Sequence, residues 1–153
     1  MPPPVPGKWD VYILFSVLRI RPRRRRGTDN DGGMDPNAIE HRQLSSATTG
    51  ETYARSAVLS EGLGLRSLFV HHDVVPPGTR ASAAHRHSER EELVVVLSGT
   101  VTAWSDGAPE VISAGGVAAF PPGVSHYVEN ASAEPAEILV IASQREHDRV
   151  SYP

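Results

Sequence analysis

Cysteine is absent from the 153 residues. That excludes a disulfide framework, a thiolate metal site and a cysteine nucleophile. Aromatic residues are scarce, at two Trp, four Tyr and three Phe. Stacking platforms for single-stranded nucleic acid are therefore not indicated. No Ser-His-Asp set, phosphate loop or dinucleotide fingerprint offers a catalytic reading. No helix-turn-helix segment is evident, which weakens a role in transcription. The apolar decamer at residues 11–20 is too short to span a bilayer.

What remains is a chain of one-domain length, large enough to bury a real core. Its charge is unevenly spread. Residues 1–33 carry seven Lys and Arg against three Asp, a net of +4. Residues 34–153 carry eight Arg against fifteen acids, a net of −7. An acidic body argues against a surface for nucleic acid phosphates there.

The first 33 residues read as a separate kind of sequence. Prolines open the segment and prevent a helix. The apolar decamer is followed by Arg21-Pro22-Arg23-Arg24-Arg25-Arg26. A secretory leader has its positive charge before the apolar run, so the order here is reversed. Three readings compete: a membrane-surface anchor, a basic arm for nucleic acid, or a misassigned start with the natural chain opening at Met34. The third is preferred. Residues 1–33 are then a disordered or non-native extension, and residues 34–153 form a single domain with no membrane or nucleic acid partner. A cytoplasmic location is expected.

From about residue 50 short strands alternate with turn signals. Strands are predicted at 53–59, 66–74, 81–87, 91–98, 100–105, 110–113, 117–120, 125–130 and 137–142. Asp106-Gly107 is a hairpin cue. The run from Glu91 to Leu97 is apolar on both faces and predicts a central strand covered on both sides. Val94, Val96, Val117, Phe120, Val128, Leu139 and Ile141 are the predicted buried positions. Many short strands with little helical periodicity predict an all-β sandwich or barrel.

Two blocks carry the chemistry. The first, residues 78–99, holds His85, His87 and Glu92; the second, residues 115–130, holds His126. Side chains two apart on a strand share a face, so His85 and His87 can aim at one point. Glu92 follows across the charged stretch Ser88-Glu89-Arg90-Glu91, which suits a turn. Glu91 is its rival as the carboxylate. His126 sits just past the turn signal Pro121-Pro122-Gly123 and reaches the others only through folding. Three imidazoles and one carboxylate suit one divalent transition metal, Fe, Mn, Ni, Zn or Cu. Around an octahedral metal they leave two open positions, so the site could be catalytic.

These blocks resemble the two motifs of the cupin superfamily. Gly115, Pro121, Gly123, His126 and Asn130 fall at the spacing of the second motif; His85, His87, Glu92 and Gly99 fit the first. Gly78 stands one residue further from His85 than the usual pattern allows, which reads as a loop-length difference. Gly116 stands where many relatives carry an acid, which puts a hydrogen bond supporting that turn in doubt. With the tail after Glu146, the layout resembles small single-domain bacterial cupins of the conserved-barrel type. The resemblance implies a double-stranded β-helix, or jelly roll, with the metal ligands His85, His87, Glu92 and His126. It also implies a homodimer that covers an exposed sheet edge, with the segment before residue 60 available to contribute.

Other residues receive structural readings first. His41 and His147 are expected on polar, exposed segments. His71 and His72 are adjacent and face opposite sides of a strand; one of them could reach a cavity as a substrate contact or a partner of a metal ligand. Gly99 and Gly123 are expected to serve turns, Gly123 with positive φ. Asn130 shares parity with His126, but a turn-holding hydrogen bond is its preferred role.

Cupin folds host many chemistries, so the fold alone does not select one. The preferred reading is an enzyme acting on a small oxygen-bearing substrate, with dioxygenase-like or isomerase-like chemistry at the metal. The alternatives are a sugar-binding or sensor module without turnover, and a metal-free structural barrel.

Overall fold

The computed structural model describes residues 33–153. The expectations for residues 1–32, including the apolar decamer and the arginine run, fall outside the described residues. The strands are β1 (Arg42–Ser45), β2 (Thr52–Val58), β3 (Leu68–Val75), β4 (Arg86–His87), β5 (Glu92–Ser98) and β6 (Thr100–Ser105). They continue with β7 (Ala108–Ser113), β8 (Val117–Phe120), β9 (His126–Glu129), β10 (Ala136–Ser143) and β11 (Val150–Ser151). Helix is confined, among the described residues, to one 3-10 turn at Pro36–Ala38.

A six-stranded sheet runs in the order β1-β2-β3-β10-β5-β8. Opposite it lie β7-β6-β9 and the pair β11-β4. Antiparallel bridges at Arg80–Glu129 and His85–His126 carry the segment before β4 along the edge of β9. The expected all-β double-stranded β-helix is the architecture found. The hairpin at Asp106-Gly107 is also present. Both residues take positive φ, 48° and 82°, as a two-residue turn between strongly twisted strands requires.

The dry core lies between the sheets. Val75, Val94, Val96, Val101, Ile112, Phe120, Val128 and Ile138 are among its buried residues. A second, smaller cluster sits on the outer face of the large sheet. Ala57, Leu59 and Val70 form it, with Met34, Ile39, Leu139 and Ile141 packed against them. The segment leading into β1 thus covers part of that outer face.

Several expectations need correction. Val117 is 57% exposed, and Leu139 and Ile141 face outward and are only partly buried. The inward set of β10 is Ala136, Ile138, Val140 and Ala142. This strand is apolar on both parities, so composition alone does not say which set faces in. The central strand β5 is covered on its inner face but not fully outside, where Leu97 is 45% exposed. The strand predicted at 81–87 shrinks to Arg86–His87, and β1 and β11 are additional.

The turns behave as their residues require. Gly99 has φ +76°, and a Cβ there would meet the Pro135 carbonyl oxygen at 2.9 Å, so neither conformation nor space admits a side chain. Gly123 has the expected positive φ, +84°. Asn130 is fully buried. Its Nδ2 donates to the carbonyls of Val75 and Glu134, and its Oδ1 accepts from Ser132. It holds the turn before β10, in line with its preferred reading. Gly116 leaves no room for an acid, because a Cβ would meet Ile112 Cγ2 at 2.5 Å. Its turn is held by the main chain instead, Gly116 N–H donating to the Ser113 carbonyl.

Candidate metal centre

The structure brings His85, His87, Glu92 and His126 together, each offering one ligand atom, all within 4.8 Å of one another. Alternation along residues 85–87 directs both histidines inward. The bend at 88–91 then returns the chain so that Glu92 opens β5 on the inner face. Glu91 stays exposed and outside the group. His126 begins β9, bridged to His85 by two main-chain hydrogen bonds. The Pro121–Gly123 turn is tied to the same place, since Gly123 N–H donates to the His87 carbonyl.

Each imidazole is oriented through its Nδ1. His85 donates to the Ala83 carbonyl at 2.8 Å, and His126 to the Val124 carbonyl at 2.9 Å. His87 donates to Asp148 Oδ2 at 2.6 Å. Carbonyls and carboxylates only accept, so in the neutral ring the proton sits on Nδ1 and Nε2 presents its lone pair inward. Metal-binding histidines are normally fixed in this way. Phe120 stacks on the His126 ring at 4.2 Å and closes its far side with apolar surface.

The inward atoms fit a cation. His126 Nε2 lies 2.8 Å from Glu92 Oε2 and His87 Nε2 lies 3.2 Å from Glu92 Oε1. Despite that distance His87 Nε2 makes no hydrogen bond, although it is buried. Neutral imidazole nitrogens and a carboxylate are all acceptors, and acceptors this close need a positive charge among them. A proton on an imidazole or a divalent metal supplies it. The donor set, three nitrogens and a carboxylate without sulfur, matches a divalent transition metal.

The electrostatics follow from this crowding. Burial pushes the His85 pKa down to about 4 against the pull of Glu92, which keeps the ring neutral and able to bind metal. His87 is shifted the other way: burial lowers it, but the Glu92 carboxylate beside Nε2, then the hydrogen bond and charge of Asp148, raise it above the ordinary histidine value. Burial also opposes ionisation of Glu92. The hydrogen bond from His126 and the close approach of His87 and His85 overcome that and hold its carboxyl well below the usual range.

Asp148 is the residue that sequence reasoning missed. Besides His87, it accepts from the backbone N–H groups of Glu89 and Arg90, at 2.9 and 3.2 Å. It thereby fixes the bend between His87 and Glu92. Docking of β11 on β4, with Val150 opposite His87, delivers it there. Its only sequence signal is an acid in a polar tail, next to the exposed His147.

The four side chains line a cavity of about 880 Å³, with His71, Asp73, Arg80, Arg90 and Tyr152 among its other walls. As expected, His71 and His72 separate: His71 faces this cavity and His72 is buried on the opposite face. His41 needs correction, since it is half-buried and its Nε2 lies 2.7 Å from His72 Nδ1.

Residues 71–142 match the family model described as the cupin domain. This stretch matches as a cupin domain and contains all four converging side chains. Among solved structures, it is similar to a candidate sugar phosphate isomerase from Acidithiobacillus ferrooxidans, with 31% identity and a TM-score of 0.61. The match covers 65% of this chain and 65% of that one, so this chain spans just under two thirds of that relative. It is also similar to a cupin-superfamily sugar phosphate isomerase from Silicibacter pomeroyi, with 26% identity, a TM-score of 0.70 and coverage of 79% and 81%. A predicted oxalate decarboxylase from Thermotoga maritima shares the fold at 22% identity and a TM-score of 0.64, over 74% of this chain and 99% of that one. No curated protein matches the sequence. No helix among the described residues is long and apolar enough to cross a membrane.

Proposed function

We propose that this protein is a divalent-metal-dependent isomerase of a small hydroxy-carbonyl compound, with sugar phosphates the first class to try. The observation that carries the reading is the convergence of His85, His87, Glu92 and His126 on one point of a large cavity. The names of the two relatives at 31% and 26% identity support isomerisation over other cupin chemistries. When bound, a divalent metal supplies Lewis acidity toward a carbonyl or hydroxyl oxygen. The chain's own part is to hold the donors, fix their tautomers through Nδ1 and shield the reacting group. Phe120, Val94 and Val140 give the cavity apolar walls, which strengthen every charge interaction inside.

The test uses the full chain, loaded separately with Mn, Fe, Ni, Cu and Zn. Each form is incubated with a panel of aldose and ketose phosphates, and carbon NMR reads the products. Conversion of at least one sugar, abolished by a chelator and by Glu92→Ala, is the expected result. Full metal loading with binding but no turnover would replace the enzyme by a ligand-binding module. The same donor set also suits Fe(II). Oxygen uptake by the iron form without isomerisation would select a dioxygenase.

A further inference from the structure

β3 places two ionisable groups on the inner face of the large sheet. Phe69, His71, Asp73 and Val75 alternate inward along it, and the sheet positions beside them on β10 are Ala142, Val140, Ile138 and Ala136. Asp73 is 2% exposed. A carboxylate buried among aliphatic side chains is costly unless partnered. Its partner is His71, whose Nδ1 lies 2.7 Å from Asp73 Oδ1. Ser56 Oγ, on β2, lies 3.3 Å from the same nitrogen. The register neighbours of the pair on β10, Val140 and Ile138, are apolar and offer it no hydrogen bond.

The arrangement is that of a base held by an acid. With Nδ1 donating to the carboxylate, the ring is fixed in one tautomer, and Nε2 is the nitrogen that exchanges protons. His71 lines the cavity. Two of the other acids around that cavity have partners of their own. Asp148 is engaged by His87 and the 88–90 backbone, and Glu51 forms a bidentate pair with Arg80. His71 is the cavity histidine outside the four converging side chains. Through the register it sits beside Val140, which sits beside Val94, two residues from Glu92. Its backbone is thus two strands, roughly 10 Å, from β5, with both side chains on the same face. A small substrate held by the metal group would lie in the space between.

We infer that His71 is the proton-transfer residue of the site, oriented by Asp73 and Ser56, for a substrate carrying an acidic C–H beside a carbonyl. This rests on the isomerase reading. In the step, His71 takes the proton from the carbon next to the carbonyl; the C–H electron pair becomes the C=C bond of an enediol and the carbonyl oxygen takes a proton from water. His71 then returns its proton to the former carbonyl carbon, and the neighbouring hydroxyl gives its proton back to water as the new carbonyl forms. Protons and electrons balance with no oxidant. Burial lowers the His71 pKa, but the charge and hydrogen bond of Asp73, with the charge of Glu92, outweigh burial and the opposing Arg90 to leave it raised.

Deuterium exchange separates this inference from the reading beneath it. The full chain, metal-loaded, is incubated in D₂O with glucose 6-phosphate, fructose 6-phosphate, mannose 6-phosphate and ribose 5-phosphate, and proton NMR follows the C–H signal beside the carbonyl. Metal content and circular dichroism are recorded for every variant. Expected is exchange by the wild type with at least one sugar, and a loss of about 100-fold or more in His71→Asn with metal retained. Exchange by His71→Asn at the wild-type rate would overturn the role of His71 and leave the isomerase standing. Isomerisation by the wild type without exchange would indicate a hydride shift, overturn the role of His71 and leave the isomerase standing; neither isomerisation nor exchange with any of the four sugars would overturn both. If His71→Asn fails to fold or to load, Asp73→Asn decides. It should lower kcat more than it raises KM and move the low-pH limb of the rate to lower pH, because the base loses the charge that raises its pKa. An unchanged rate and profile would overturn the inference.

Discussion

His71 and His72 are neighbours in sequence and lie in different solvents. His71 looks into the cavity, against Asp73 and within reach of the charge on Glu92. His72 points through the other face of the sheet, where it is fully buried between His41 and Glu137, at 2.7 and 3.1 Å. The inner network surrounds space and holds donors around a point. The outer network surrounds no space; it fastens the segment leading into β1 to the sheet. Identical chemistry thus does two jobs, and strand alternation alone decides which. A histidine in this fold is informative only once its face is known.

The sharpest way to break the comparison is to remove a group from each face. His87→Ala or Glu92→Ala should take metal content from about one equivalent toward zero, with the barrel still folded by circular dichroism. Unchanged metal content would exclude that residue as a ligand. Asp148→Asn acts one step out, on the orientation of His87 and the bend to Glu92. It should weaken metal affinity by roughly 10- to 100-fold, read by chelator competition; unaltered affinity would make Asp148 a tail-docking residue only. His72→Ala should leave metal binding untouched and lower stability by about 1–3 kcal/mol, since His41 and Glu137 lose their buried partner. A denaturant melt reads it, and loss of metal in this variant would contradict the separation of the faces.

Acid should act on the inner face in a set order. His87 has a raised pKa, so it takes up a proton at higher pH than His85, which stays neutral down to about 4. Protonation of His87 should therefore contribute to metal release at higher pH than protonation of His85. Glu92 and Asp148 have folded-state values below the ordinary carboxylate range. Their contribution to stability is present above that range and is lost as pH falls through the folded-state values. Metal retention through pH 4 would argue against histidine ligation.

The fold and the four converging side chains were legible because both are written in short-range pattern. A two-residue spacing places His85 and His87, a polar bend returns Glu92, and a proline-glycine turn precedes His126. Asp148 was not legible, since its place depends on a two-residue strand docking 61 positions from His87. Pairing that short leaves no periodicity to read. The Asp73 carboxylate was overlooked beside the two histidines, although alternation puts it on the same face as His71. Val117, Leu139 and Ile141 were misplaced because strands apolar on both parities look the same with either face inward.

The central claim is that the converging group holds a metal, and elemental analysis of the full-length protein, purified without a metal-binding tag, tests it most directly. About one equivalent of a divalent transition metal is expected, lost in Glu92→Ala. A protein that is metal-free as purified and takes up none of iron, manganese, nickel, copper or zinc on reconstitution would contradict it.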